Sequence, residues 1–345
     1  MEPVVKQPGP TDGPFRTVMR PRGSRDLTRR HKLSRAVSVC AVLVVVVVSV
    51  ATGGPALAGH VASVAAVSPP LSFLHANGAN IAYRDINPQT KGTPLLLIVG
   101  YGSTMAEWDP RLISGLAQGR RVIMFDNRGA GDSTGSVRHL SVRLMAGDAA
   151  GLISGLHLGP TDVLGWSMGG FIAQELALDH PGMVRRLILA STDPGSSHAT
   201  PGKPAVIRIL TNPATSVAQL LPILFPSGQR AAAQTWLTAI ASQPALTGQD
   251  FAVSAITKAA QTNATHKLWL GPHEGTYARL PTIRARTLVA YGAKDVIVPP
   301  SNAQILLRLI PHAKAVRVSD AGHAFLFQDP VSTARAFSAF LSAGS

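Results

Sequence analysis

Residues 95–99 read Leu95, Leu96, Leu97, Ile98 and Val99, apolar at every position. A strand with one wet face alternates apolar and polar residues, so a short continuous run describes a strand buried on both faces. The pattern recurs along the chain. Residues 122–125, 161–164, 187–190, 287–291 and 315–318 are also strand-like. Stretches with helical spacing lie among them at 111–118, 140–156, 169–180 and 300–310, and a last helix opens at Asp329-Pro330, a cap followed by a first-turn proline. Alternation of this kind predicts an α/β protein with a mostly parallel central sheet and helices on both faces. Ahead of it, residues 73–75 and 81–84 flank Asn77-Gly78, a pair that accepts the positive φ angles of a tight hairpin turn.

The alternation stops once. Residues 193–284 carry no strand-like run and instead have helical spacing near 207–210, 217–221, 230–240 and 251–260. A structureless loop of that length is improbable inside a compact domain, so the segment reads as an inserted helical subdomain, a cap or lid. The core is then split into residues 71–192 and 285–345. No internal repeat and no G-x-G-x-x-G dinucleotide motif is present.

The first residues carry a different message. Of a net charge of +14 over 345 residues, six units come from residues 1–58, which hold nine Lys/Arg against three Asp/Glu. Thr28-Arg29-Arg30-His31-Lys32 is followed at 36–52 by an apolar or small-residue run, then Gly53-Gly54-Pro55 and Ala56-Leu57-Ala58. Basic, apolar and small-residue regions in that order describe an export signal with an A-x-A cleavage site. A retained membrane anchor over 36–52 is the competing reading, and the paired arginines leave both the twin-arginine and the general route open. In either case the arginines stay inside and the rest of the chain is expected outside, secreted or in the cell envelope. Residues 59–70 read as an Ala/Ser/Pro linker. The exported part has no basic run, so nucleic acid is not an expected partner, and membrane contact is expected only through an uncleaved leader. The single cysteine, Cys40, lies in the leader and excludes a disulfide framework or a multi-thiolate zinc site. With 46% hydrophobic and 14% charged residues the chain is globular.

Two pentapeptides match G-x-S-x-G: Gly165-Trp166-Ser167-Met168-Gly169 and Gly131-Asp132-Ser133-Thr134-Gly135. Only the first sits directly between a strand and an apolar-periodic helix, the context in which a serine is displayed on a sharp turn at a helix N-terminus. Ser133 reads as part of a glycine-rich loop. A serine hydroxyl needs an adjacent base, and the base needs an orienting carboxylate. His323 is the candidate base because it follows the strand at 315–318, and sites in open α/β sheets gather at the carboxyl ends of strands. Asp295, just past the strand at 287–291, is the favoured acid, and Asp193, past the strand at 187–190, is its rival. Oxyanion donors are expected from the backbone N–H of Met168, next to the nucleophile, and of Tyr101 in Gly100-Tyr101-Gly102-Ser103.

With these residues in place the chain resembles the α/β-hydrolase-fold serine hydrolases. Gly165 to Gly169, Asp295 and His323 match the family's triad order. Gly100 to Trp108 is similar to its oxyanion loop, and Asp126-Asn127-Arg128-Gly129-Ala130-Gly131-Asp132-Ser133 to its D-x-R-G-x-G-x-S turn, in which Asp126 and Arg128 are expected to fix the loop by an ion pair. Val99 stands where many members carry His. The resemblance implies ester hydrolysis through an acyl-enzyme; the many apolar residues of 193–284 lead to the expectation of a small-molecule substrate with an apolar acyl part, and nothing in the sequence indicates a metal or an organic cofactor. Cleavage of peptide, lactone or carbon–carbon bonds, cofactor-free peracid formation, and a non-catalytic binding role on the same scaffold are the alternatives.

Overall fold

A computed structural model describes residues 69–243, 251, 253–272 and 274–343. The leader expected over 1–58 lies outside the described residues, as does the linker up to residue 68. From the hairpin onward the elements follow the sequence. β1 (Ser72–Ala76) and β2 (Ala79–Ile86) pair antiparallel across Asn77-Gly78, both at positive φ. Then come β3 (Leu95–Ile98), α1 (Pro110–Leu116), β4 (Val122–Phe125), α2 (Val142–Gly155), β5 (Thr161–Trp166), α3 (Met168–Asp179) and β6 (Val184–Ala190). Capping sets the helix starts: Ser141 accepts from Leu144 N–H at the head of α2, and Asp109 from Arg111 N–H at the head of α1.

Between β6 and the next strand the chain inserts α4 (Pro204–Thr211), α5 (Val217–Leu224), α6 (Arg230–Ala241) and α7 (Ala255–Thr262). A π-helical stretch, Asn263–Trp269, and a 3-10 turn, Tyr277–Thr282, follow. Two boundaries differ from the sequence reading. The helix expected from residue 251 starts at Ala255, because the Ser254 side chain caps Thr257 N–H, while Val253 bridges to Ala130 outside any helix. The helix expected to stop at 221 runs through Pro222 to Leu224. The core then resumes with β7 (Arg286–Gly292), α8 (Ser301–Leu309), β8 (Lys314–Val318), the single turn α9 (Phe325–Gln328) and α10 (Pro330–Ser342).

The eight strands form one sheet in the order β1-β2-β4-β3-β5-β6-β7-β8, parallel from β4 through β8. β3 lies at its centre, with Leu97 in register with Met124 on one side and Leu164 on the other. Its residues alternate between two cores: Leu96 and Ile98 pack with residues of α2 and α3, Leu95 and Leu97 with residues of α1 and α10. This explains why every position of β3 had to be apolar. Each such leucine contributes about 2 kcal/mol on burial.

One expected contact is corrected. Arg128 makes its ion pair with Asp148 of α2 and donates to Asn77 O, in place of the Asp126 partner inferred from the turn motif. Asp126 instead accepts Met105 N–H and Asp132 N–H, at 2.8 and 3.2 Å. Ser133 is structural, donating to Asp126 O and accepting Ala82 N–H.

Candidate active site

Ser167 occupies the turn between β5 and α3 with φ 58° and ψ −123°, a conformation a serine adopts only when its surroundings impose it. The imposition is visible in the flanking glycines. A Cβ on Gly165 would lie 2.3 Å from Gly169 O, and one on Gly169 would lie 2.0 Å from Ile98 O. No larger residue lets α3 pass this close to β3 and β5. Ser167 N–H donates to Ala190 O at 2.9 Å, and its carbonyl accepts from Gly170 N–H and the Thr192 hydroxyl.

Asp295 and His323 come from the carboxyl ends of β7 and β8. Asp295 Oδ2 lies 2.8 Å from His323 Nδ1, and Oδ1 accepts Ile297 N–H and Val298 N–H, both at 2.9 Å. With three hydrogen bonds the carboxylate is held in one orientation, which fixes the imidazole tautomer with Nδ1–H toward the acid. The His323 carbonyl accepts Trp166 Nε1–H at 3.1 Å, so the histidine loop is tied to the residue preceding Ser167. Between Asp295 and Asp193, the two strand-end acids, it is Asp295 that the fold joins to the histidine.

The loop after β3 closes the site from the opposite side. A Cβ on Gly100 would sit 3.1 Å from Ser167 Cβ, a tight contact that glycine avoids. Tyr101 follows and lines the same cleft as Ser167 and Met168. The inserted helix α7 grips this loop: Gly102 N–H donates to Gln261 Oε1 at 2.8 Å, and the Tyr101 hydroxyl lies 2.9 Å from Thr262 Oγ1. Gln261 and Thr262 carry no motif by which the sequence could have marked them.

The cleft is narrow and continuous with bulk solvent, and the empty space in and above it amounts to about 460 Å³. Phe171, Ile207, Leu210, Leu270, Ile297 and Val298 supply apolar walls, with Asp193, Thr265 and His266 as polar ones. Burial raises the pKa of Asp193 to about 6 against the hydrogen bonds from Trp269 and Gly195, and it lowers the pKa of His266. Nearby, burial pushes Glu107, in the 3-10 turn Met105–Glu107, up to about 7 in spite of hydrogen bonds from Ser103 and Thr104 and the charge of Lys258. Among the described residues no cluster of three or more His, Cys, Asp or Glu gathers as a metal site would require.

Comparison with known proteins agrees with this architecture. Residues 93–330 match the family profile described as alpha/beta hydrolase fold. A Mycobacterium tuberculosis protein named as a candidate non-heme bromoperoxidase, BpoC, is 29% identical over 256 residues, covering 73% of this chain and 93% of its own length. A poly(3-hydroxyalkanoate) depolymerase from Ectopseudomonas oleovorans is 29% identical over 239 residues, 68% of this chain and 79% of its own. Among solved structures, an alpha/beta hydrolase fold protein from Chitinophaga pinensis has a TM-score of 0.71 at 28% identity, covering 80% of this chain and 98% of that one. Since the family profile spans more than half of the sequence and the sheet order supplies the matching scaffold, the chain belongs to the α/β-hydrolase-fold family.

Proposed function

We propose that this protein is a serine hydrolase that cleaves carboxylic esters through an acyl-enzyme, with Ser167 as nucleophile, His323 as base and Asp295 as orienting acid. The observation that carries the reading is the strained Ser167 at the head of α3, one residue from the Trp166 side chain that holds the His323 loop. Strain at a displayed nucleophile, next to an oriented Asp–His pair, is what acyl transfer requires. Ser167 Oγ attacks the ester carbonyl carbon as its proton passes to His323 Nε2. The carbon–oxygen bond then breaks, and the alcohol leaves with that proton. Water attacks the acyl-enzyme by the same route, gives its proton to His323, and the acid is released as Ser167 Oγ is reprotonated. Asp295 stays ionised throughout and stabilises the imidazolium. The N–H groups of Met168 and Tyr101 receive the oxyanion, each contributing about 3 kcal/mol to the transition state.

The inserted helices act as a cap over the acyl side, and the aliphatic walls of the cleft support a mainly apolar acyl group. The basic-then-apolar order of residues 1–58 supports an exported enzyme, either secreted or anchored through residues 36–52. Similarity to the protein named as a bromoperoxidase favours a second reading of the same acyl-enzyme. Hydrogen peroxide attacking in place of water would release a peracid. Fluorophosphonate labelling tests the shared nucleophile: the wild type should label and Ser167→Ala should not, with ester hydrolysis falling about 10⁴-fold or more in the variant. Equal labelling of the two proteins would overturn both readings. Peracid release in the presence of peroxide and a carboxylic acid separates the second from the first.

A further inference from the structure

Asp193 follows β6 on the segment whose preceding residue, Thr192, holds the Ser167 carbonyl, and its side chain lines the cleft beside Ser167. It is buried, at 6% exposure. Only one of its carboxyl oxygens is committed: Oδ1 accepts Trp269 Nε1–H at 2.9 Å and Gly195 N–H at 2.8 Å. Among the described residues Oδ2 accepts no hydrogen bond, and no Lys, Arg or His forms an ion pair with Asp193. The contrast is with Asp295 at the end of the next strand, which uses both oxygens and has His323 as partner.

Buried charges in proteins are paired, because removing an ion from water without a partner costs several kcal/mol. The cleft offers Asp193 no such partner. Among the described residues its lining holds no Lys or Arg, and burial favours the neutral form of His266. A carboxylate lining a substrate cleft with one oxygen free is open to completion by a ligand. Trp269, stacked on Phe171 at 4.9 Å, fixes the carboxyl's orientation through Oδ1 and leaves Oδ2 for that ligand.

Building on the proposed ester hydrolysis, we propose that Asp193 is a specificity-determining residue that selects short acyl groups bearing a positively charged amine, with the ammonium donating to Asp193 Oδ2. The remaining aliphatic walls then pack the methylenes between that amine and the carbonyl.

Three esters of nearly equal shape test the assignment: the ethyl esters of β-alanine, 3-hydroxypropanoic acid and butanoic acid. Their binding is measured calorimetrically at pH 7.5 to Ser167→Ala, which keeps the cleft and prevents turnover, and to Ser167→Ala/Asp193→Asn. Asn retains the acceptor for Trp269 and Gly195 but turns the free position into an uncharged donor. In Ser167→Ala the β-alanine ester should bind about tenfold tighter than the butanoate, as a charge-assisted hydrogen bond implies, and the double variant should abolish that preference. Equal binding of the β-alanine and butanoate esters to Ser167→Ala overturns the proposal, and this reading does not depend on the second substitution being tolerated. Tightening by the hydroxy ester alone, or an ammonium preference that survives Asp193→Asn, overturns it as well. The nucleophile is read separately by labelling of the wild type, so failure of the amine subsite and failure of the hydrolase reading give different results.

Discussion

The parallel strands and the helices inserted between β6 and β7 are both rich in aliphatic residues, yet they use them differently. β3 and β4 are buried at every position. In the insertion, α4 buries no residue fully and α5 only Ile223, whereas the buried residues of α7 are the polar Thr257 and Gln261. Those polar residues reach into the core: Thr257 Oγ1 donates to Gly129 O and Gln261 accepts from Gly102 N–H. Trp236 and Gln243 likewise donate to the carbonyls of Glu107 and Ala106. The sheet is held by apolar area, which is large and non-directional. The insertion adds to the apolar contacts of α6 and Trp269 a set of directional hydrogen bonds to the loops after β3 and β4, so the loss of one of those bonds should be felt as geometry in the cleft more than as stability.

The contrast breaks if truncations in the two regions cost the same. Leu97→Ala should lower the unfolding free energy by about 3 kcal/mol, because β3 is packed on both faces and cannot collapse around the cavity. Leu220→Ala in half-buried α5 should cost about 1 kcal/mol. Urea midpoints at an unchanged slope measure both, and equal losses would show that the insertion is packed like the sheet.

Glu107 lies at the seam between the regions, and it sharpens the comparison by pH. Its folded pKa of about 7 stands above the ordinary 4.5, so the folded state holds a proton that the unfolded chain has released. The stability this contributes is complete below pH 4.5 and is lost as pH rises through 7. Glu107→Gln should therefore match the wild type near pH 4 and exceed it by on the order of 2 kcal/mol at pH 8.5, partial solvent access having reduced the full linkage value. A pH-independent difference between the two proteins would show that burial does not govern this carboxyl.

The remaining expected effect is read in catalysis and is specific to the hydrogen bond between α7 and the loop after β3. Gln261→Leu removes the acceptor for Gly102 N–H, leaving the loop that carries Tyr101 less well oriented. kcat for ester hydrolysis should fall about tenfold with KM changing less, and Gln261→Glu, which restores an acceptor, should recover most of it. A change in KM alone would mean that Gln261 shapes the cleft without positioning the oxyanion loop.

What the sequence determined by itself is what neighbours along the chain decide. Apolar runs placed β3 to β7, Asn77-Gly78 placed the hairpin, and the serine motif between a strand and a helix singled out Ser167 over Ser133, since turn geometry and periodicity are local properties. Boundaries in the insertion were less legible, because short helices with sparse burial leave a weak periodic signal and their limits follow from single caps such as Ser254. Tertiary structure decided the pairings. Asp193 and Asp295 both follow strand ends, and only the spatial order β6-β7-β8 puts Asp295 against His323 while turning Asp193 to the cleft. Arg128 found Asp148 instead of Asp126, and Gln261 met Gly102 across 159 residues of chain. A hydrogen bond over that separation depends on how distant elements stack, and no local pattern of residue types encodes it.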